Sequence, residues 1–392
     1  MIKNLPKVIF VLLGLSLASL LWNENDKVQV TFILESSSLS ADANVYLVGS
    51  HKKLGAWQPD KIKMKYLGIA SLKSSGNKAG AHRWQKQLNF ENGDILEYKF
   101  TQGNWANEGA NEKGLPLENN YLTVATEQTV TTTVEHWRTT AELPVQGQIT
   151  GTVKYHRQLA GKGVLPRDII VWLPPSYQQN ISENYPVLYM HDGQNIIDPN
   201  TASFKVDWSV DETLTRLIKE NKVPPMIVVG MSSTANRTAE YSPGIAGEAY
   251  MNFVINEVKP LIDSTYRTNT SREHTLIGGS SMGGIISLML LWQYDDVFSK
   301  ALCMSPAFKI DQFDYVNTVA AYLGDKKDIK IYIDNGGLGL EQRLQPGIDE
   351  MLFALKKKGY QKNMLWVIDE NAKHTEAAWA KRFPEALVWL MQ

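Results

Sequence analysis

Gly279-Ser280-Ser281-Met282-Gly283 is the stretch that decides the fold of this chain. A short run at 274–278 leads into it and a long apolar run at 285–291 follows. Strand, sharp turn, helix is the setting in which G-x-S-x-G carries chemistry, because the serine then sits at the apex of a strained turn with its hydroxyl exposed. The outer glycines let backbone crowd backbone where a side chain would clash. The phase of the motif selects the serine. With Ser281 central both outer positions are glycine; with Ser280 central the last would be Met282. Ser281 is therefore the candidate nucleophile.

A serine hydroxyl attacks only when a base takes its proton, and the base needs a partner that fixes its tautomer. On folds built around this elbow the acid follows the serine in sequence and the histidine follows the acid. His51, His82 and His136 lie in a separate N-terminal region, and His156 precedes the main α/β pattern. His274 stands a strand length before the turn, and His191 ends an earlier strand and is expected to line the site from the other side. His374 alone follows the last expected strand, 364–369, and precedes the final helix. The acid should follow the strand 329–333. Glu341 is favoured, because the glycines of 335–341 form a loop that can fold back towards His374; Asp334, which also fits an ordinary cap, is the alternative.

An oxyanion hole needs two backbone N–H groups aimed at the developing charge. Met282, next after the nucleophile, supplies one. The second is expected from the loop Asp192-Gly193-Gln194-Asn195 after the strand 186–191, with Gly193 permitting the tight turn and Gln194 donating. His191, Asp192, Trp208, Arg237 and Glu240 are candidates to shape the substrate pocket, although an Arg237–Glu240 pair would serve structure equally well.

Residues 147–392 resemble the esterase branch of the α/β-hydrolases that includes enterochelin esterases, esterase D, feruloyl and acetylxylan esterases and mycolyltransferases. The resemblance rests on 185–195 (Tyr185 to Asn195), 208–212 (Trp208 to Glu212), 237–243 (Arg237 to Pro243), Tyr266-Arg267, 278–284 and 374–379 (His374 to Trp379), in that order. It implies Ser281 and His374 as the catalytic pair and points to Glu341 as the acid. It leaves the acyl group open.

The N-terminal region has another period. Short alternating runs at 28–33, 44–48, 84–88, 95–100 and 130–134, punctuated by Gly, Asn and Asp, describe an all-β sandwich over 26–137. From 147 onward strands alternate with helical stretches, which describes a doubly wound, mostly parallel sheet. Residues 138–146 read as a linker. The β region resembles starch-binding or glycogen-recognition modules through 45–49, 54–57, Trp84, 97–100, 103–105 and Asn119-Asn120. The resemblance makes Trp57, Trp84 and Trp105 candidates for stacking on sugar, with Lys99 and Asn119 as polar partners. Trp105 lies in a polar loop, whereas Trp84 could equally belong to the sandwich core and Trp57 is expected there before it is expected on a sugar. Such modules carry an Asn-Arg pair where this chain has Asn119-Asn120.

With 392 residues, 43% of them hydrophobic, the chain can hold two domains. Its formal net charge of −1 and the lack of a basic block speak against a nucleic-acid partner. One cysteine, Cys303, gives no disulfide framework and no cysteine-based metal site. Neither a cofactor nor a metal is expected. Residues 1–22, with Lys3 and Lys7 before a short apolar stretch, read as a signal peptide, with an uncleaved anchor as the alternative, so the protein is expected in the periplasm or secreted, with no stable membrane partner. The expected partner is a carbohydrate polymer or a small ester. The expected activity is hydrolysis of carbohydrate-linked carboxylic esters. Siderophore-ester hydrolysis, acyl transfer and a non-catalytic glycan-binding role are the rivals.

Overall fold

The computed structural model describes residues 27–70, 80–112, 114, 116–117, 119–138, 149–310 and 312–392. The expected signal peptide and nearly all of the expected linker lie outside these residues. The chain divides into two compact units, Met1–Thr140 and Ala141–Gln392.

The first unit is a β-sandwich. One sheet orders Lys65–Ile69, His82–Glu91, Lys27–Ser36 and Gln128–Thr133; the other orders Ile62–Lys63, Tyr46–Gly49, Ile95–Thr101 and Asn120–Thr123. Neighbouring strands are antiparallel except Lys27–Ser36 with Gln128–Thr133, which run parallel. Val30, Phe32 and Leu34 alternate inward from one sheet and meet Leu96, Tyr98 and Phe100 of the other. That period of two is what the alternating runs encode.

The second unit is built on an eight-stranded sheet. We number only its strands: β1 (Thr152–Gly161), β2 (Val164–Leu173), β3 (Val187–His191), β4 (Ile227–Met231), β5 (Thr275–Ser280), β6 (Lys300–Met304), β7 (Lys330–Gly336) and β8 (Met364–Asp369). Their order is β1-β2-β4-β3-β5-β6-β7-β8. β1 and β2 form an antiparallel hairpin, β2 joins β4 antiparallel, and β3 to β8 run parallel. Alternate residues of one strand feed different cores. Val187 and Tyr189 of β3 join one apolar cluster, Leu188 and Met190 the other. A sheet buried on both faces needs such near-continuous apolar strands.

The helices that matter here are α1 (Val210–Lys219), α2 (Met282–Gln293), α3 (Leu340–Lys357) and α4 (Glu376–Met391). α2 is buried from Met282 to Trp292, so it has no polar face. α1 and α4 cover the opposite face through Leu214, Leu217, Phe383, Leu387 and Leu390.

Candidate active site

Ser281 lies between β5 and α2 at φ 57° and ψ −120°. An L-residue pays for that conformation in strain, and it persists where the surroundings over-determine it. Here its N–H donates to the Met304 carbonyl of β6 at 2.9 Å, and its own carbonyl accepts from Ala307 at 3.1 Å. A Cβ on Gly279 would lie 3.0 Å from the Gly283 backbone, so any larger residue there would press the turn open. Ser280, by contrast, ends β5 and is buried.

Glu341 and His374 meet. His374 Nδ1 is 3.1 Å from Glu341 Oε2, with the carboxylate fully buried. Glu341 is not in a loop as the sequence suggested; it is the second residue of α3. The glycines act by letting two backbones touch. A Cβ on Gly337 would lie 2.2 Å from the Glu370 carbonyl, and one on Gly336 would lie 2.4 Å from that of Ala372. The N–H groups of Gly337 and Leu338 both donate to the Ala372 carbonyl at 3.1 Å. The segment before α3 is thereby stitched to the segment that carries His374.

Asp334 is turned elsewhere. It accepts from Arg382 Nε at 2.8 Å, Arg382 Nη2 at 3.2 Å and the Ser305 N–H at 2.9 Å. Burial pushes its pKa up, against the pull of Arg382. Sequence reading missed Ser305, Trp379 and Arg382 as a group. Ser305 Oγ donates to Glu341 Oε1 at 2.7 Å and accepts from Trp379 Nε1 at 2.9 Å and Arg382 Nη2 at 3.1 Å. The Trp379 ring also packs edge-on against His374, with centroids 4.9 Å apart. Ser281 stands at the same sheet edge. Among the described residues it makes no hydrogen bond to His374.

Met282 opens α2 and Gln194 lies in the short turn Gly193–Asn195, so both N–H groups belong to helix starts that leave donors unused. The left-handed residue of the second turn is Asp192 (φ 56°) rather than Gly193. Gly193 is required for another reason, since a Cβ there would lie 2.4 Å from Gly230 of β4. The Gln194 side chain is pinned by Ser233, accepting from its N–H at 3.0 Å and donating to its Oγ at 2.8 Å. Arg237 grips both oxygens of Asp192, at 2.7 and 2.8 Å.

The five residues expected in the pocket are mostly withdrawn from solvent. His191, Asp192, Trp208 and Glu240 are buried. His191 is closed off from solvent: its Nδ1 lies 2.8 Å from the Tyr250 hydroxyl, and burial lowers its pKa to about 3, so it is neutral. Trp208 packs on Trp379 and Phe383. The Arg237–Glu240 pair is not made. Glu240 binds Arg167 at 2.8 Å in a fully buried pair, and Arg237 binds Asp192. Arg237, whose side chain is about a third exposed, is the one of the five left to meet a ligand.

In the sandwich, Trp84 is a core residue, 1% exposed, opposite Leu34. Lys99 is also buried, in an ion pair with Glu108 at 2.7 Å that extends to Arg138. Neither presents itself to a polymer. Trp57, which the sequence reading favoured for the core, instead joins Trp105. Their ring centroids are 6.3 Å apart with planes at 41°. Trp57 ends a run of left-handed residues, Gly55, Ala56 and Trp57, that holds its ring out of the sandwich. Asn119 Nδ2 donates to Glu97 Oε1 at 2.6 Å, and Tyr121 donates to the same oxygen at 3.0 Å.

The sheet order, the elbow and the buried carboxylate–histidine contact together define an α/β-hydrolase fold. Residues 165–390 match the family described as "Putative esterase", and residues 27–134 match the starch binding domain family. The chain belongs to that esterase family and is a carboxylic-ester hydrolase with an N-terminal starch-binding-type domain. A Bacillus subtilis (strain 168) protein, uncharacterized protein YbbA, is 22% identical over 244 residues, 57% of this chain and 92% of that one. The endo-1,4-beta-xylanase/feruloyl esterase of Xylanibacter ruminicola is 24% identical over 216 residues, 54% of this chain but 27% of that longer protein. A ferulic acid esterase structure matches with TM-score 0.51 at 22% identity, covering 61% of this chain and 98% of its own. The enterobactin esterase Fes from Shigella flexneri matches with TM-score 0.52 at 14% identity, covering 94% of both chains. At these identities the two structures share a fold with this protein.

Proposed function

We propose that the protein is an exported serine esterase that hydrolyses carboxylic esters on carbohydrate or carbohydrate-linked substrates. The observation that carries this is the contact of His374 Nδ1 with buried Glu341 at 3.1 Å, at the sheet edge where Ser281 holds its strained turn. Glu341 fixes the tautomer that leaves His374 Nε2 free as the base. His374 takes the proton of Ser281 as Oγ attacks the ester carbonyl. The N–H groups of Met282 and Gln194 hold the oxyanion, and His374 passes the proton to the leaving alcohol. Water, deprotonated by His374, then attacks the acyl-enzyme; the acid leaves and Ser281 recovers its proton.

The sandwich would hold the enzyme on a glucan-like polymer through Trp57 and Trp105, with Asn119 as a polar partner. The relative from Xylanibacter ruminicola, by its name a xylanase and feruloyl esterase, supports a polymer-linked ester as substrate. The charged start and apolar stretch of residues 1–22 support export. The test is a substrate screen. Purified enzyme is offered an aryl acetate, acetylated xylan, feruloylated arabinose esters and a cyclic catecholate siderophore ester, with acid release measured. Release from the sugar esters supports the reading. Preference for the siderophore ester would transfer the site to the rival substrate, and absence of all turnover would leave a glycan-binding scaffold.

A further inference from the structure

The geometry points to a second site in the hydrolase unit: a structural calcium-type cation held by Asp207, Asp211 and Glu212 at the start of α1. One oxygen from each carboxylate lies within 4.8 Å of the others. Oxygens around a shared calcium ion sit about 2.4 Å from it, so ligands on opposite sides are separated by roughly twice that. The cluster therefore has the span of a single coordination sphere.

Three acidic groups in proximity would not by themselves make a site. The second observation is the state of two of their oxygens. Asp211 is fully buried. Its Oδ2 accepts from the Thr150 N–H at 2.6 Å and the Thr150 hydroxyl at 3.0 Å, whereas its Oδ1 is buried with no hydrogen-bond partner. Glu212 Oε2 is likewise buried and unpartnered. A buried carboxylate oxygen without a donor bears its full desolvation cost. Among the described residues no lysine or arginine pairs with any of the three carboxylates. A cation supplies in one step what these oxygens lack.

The chemistry of the donors selects the ion. All three are hard carboxylate oxygens, with no nitrogen or sulfur among them. Magnesium demands a near-ideal octahedron, while calcium accepts six to eight oxygens in a flexible arrangement and can fill its sphere with water. Donors at 207, 211 and 212, two of them on the first turn of a helix and one before it, suit the more tolerant ion. The sequence reading expected no metal because it sought cysteine spacing; a carboxylate site has no such signature.

The position gives the ion a task. The same segment donates the Trp208 N–H to the Asn195 carbonyl at 2.9 Å and the Val210 N–H to Ile196 at 3.0 Å. Asp211 also ties down Thr150, just ahead of β1. An ion here would fasten the residues that follow the oxyanion turn to the beginning of the hydrolase unit.

Terbium provides the direct probe, since it replaces calcium on oxygen ligands and is excited through a nearby tryptophan, here Trp208 beside Asp207. The full-length protein, stripped with EDTA, is titrated with TbCl3 while tryptophan is excited. Saturable sensitised emission at one ion per chain is expected, displaced by CaCl2 and lost in Asp207→Asn and Glu212→Gln. Tm should rise with CaCl2 in the wild type, relative to NaCl at equal ionic strength, and stay flat in both variants. The proposal is overturned if wild-type emission does not saturate, if CaCl2 does not displace it, or if both variants retain it. It is equally overturned if millimolar CaCl2 leaves the wild-type Tm unchanged, which would mean that Asp211 and Glu212 share a proton instead. The wild-type titration decides the matter even where a variant does not fold.

Discussion

Ser305 Oγ lies 2.7 Å from Glu341 Oε1, and that hydroxyl has no choice about where its proton points. A hydroxyl has one proton and two lone pairs. Trp379 Nε1 and Arg382 Nη2 both donate to this oxygen, at 2.9 and 3.1 Å. The proton is left for Glu341. A fully buried carboxylate thus has Ser305 on one oxygen and His374 on the other, where water does not reach. Ser305 is in this sense a positioning residue that acts through Glu341.

Ser305→Ala should lower kcat about 10- to 100-fold, the range that follows from losing a hydrogen bond to a charged group. KM for a small aryl ester should hardly move, because Ser305 is buried. The discriminating measurement is a double-mutant cycle with Glu341→Gln. If Ser305 acts through the carboxylate, its removal costs little more once the carboxylate is gone. An undiminished loss in the Glu341→Gln background would detach Ser305 from the acid.

The two candidate acids should separate cleanly between rate and stability. Glu341→Gln should cost up to about 10⁴-fold in kcat through loss of the tautomer anchor, with Tm little changed. Asp334→Asn should show the opposite profile. It breaks a buried pair with Arg382, a kind of change that costs about 3–5 kcal/mol, so thermal unfolding should reveal it first. A larger rate loss from Asp334→Asn than from Glu341→Gln in folded protein would reverse the assignment.

Ser281→Ala should abolish turnover, and Ser280→Ala should leave a measurable fraction. Only Ser281 occupies the left-handed apex; Ser280 is an ordinary strand end. Mapping a fluorophosphonate adduct by mass spectrometry checks this independently, and an adduct on Ser280 would refute it.

The elements that proved legible were those with a local signature. β6 and β8 begin and end where the apolar runs at 300–304 and 364–369 place them, and the elbow's phase picks out the strained serine. What stayed hidden was pairing across long stretches of chain. Arg237 and Glu240 are one helical turn apart, which suggests a pair, yet each finds its partner elsewhere in the chain, Asp192 just after β3 and Arg167 on β2. Trp84 and Trp57 look alike in sequence. Register puts Trp84 opposite Leu34 inside the sandwich, while three left-handed residues turn Trp57 outward. Ser305 and Arg382 carry no motif, and Trp379 only ends one; the end of β6 and the first turns of α4 bring the three to Glu341. The hairpin strand β1 was not recognised either, because its residues are mostly exposed or half-buried and show no apolar face.

Glu376 offers a pH test of the site's second layer. It is buried, accepts from Asn195 Nδ2 at 3.3 Å, and has its pKa raised to about 7 chiefly by burial, with Asp192 adding and Arg237 opposing. A raised carboxylate pKa means the folded state holds a proton that the unfolded state has released. Between about pH 4.5 and 7 the folded state therefore binds more protons, and stability falls as pH rises through that window. Glu376→Gln removes the titration. The difference in unfolding free energy between variant and wild type should grow across this window by up to about 3 kcal/mol in favour of the variant. Denaturant titrations at a series of pH values measure it, and parallel curves for the two proteins would contradict it.

Trp57 and Trp105 form the aromatic pair that the sandwich turns outward, and they should act as a unit. Two tilted rings 6.3 Å apart offer a bent platform, which suits a curved α-glucan better than a flat β-linked chain. Base and sugar faces alike stack on aromatic planes without specific polar geometry, so each ring should carry part of a weak affinity. Trp105→Ala and Trp57→Ala should each reduce retention in affinity gels containing starch or glycogen, and the double change should bring mobility to that of the polymer-free gel. Trp84→Ala should instead lower Tm by opening the core, as large-to-small changes at fully buried positions do. Hydrolysis of a small soluble ester should be unaffected by Trp105→Ala, because the reaction needs only the hydrolase unit, while release of acyl groups from an insoluble polymer should slow as the local concentration gained by tethering is lost. Wild-type mobility that is identical in starch, glycogen, xylan and polymer-free gels would remove the glycan-binding role from this module and leave Asn120, where related modules carry arginine, as the first substitution to reverse.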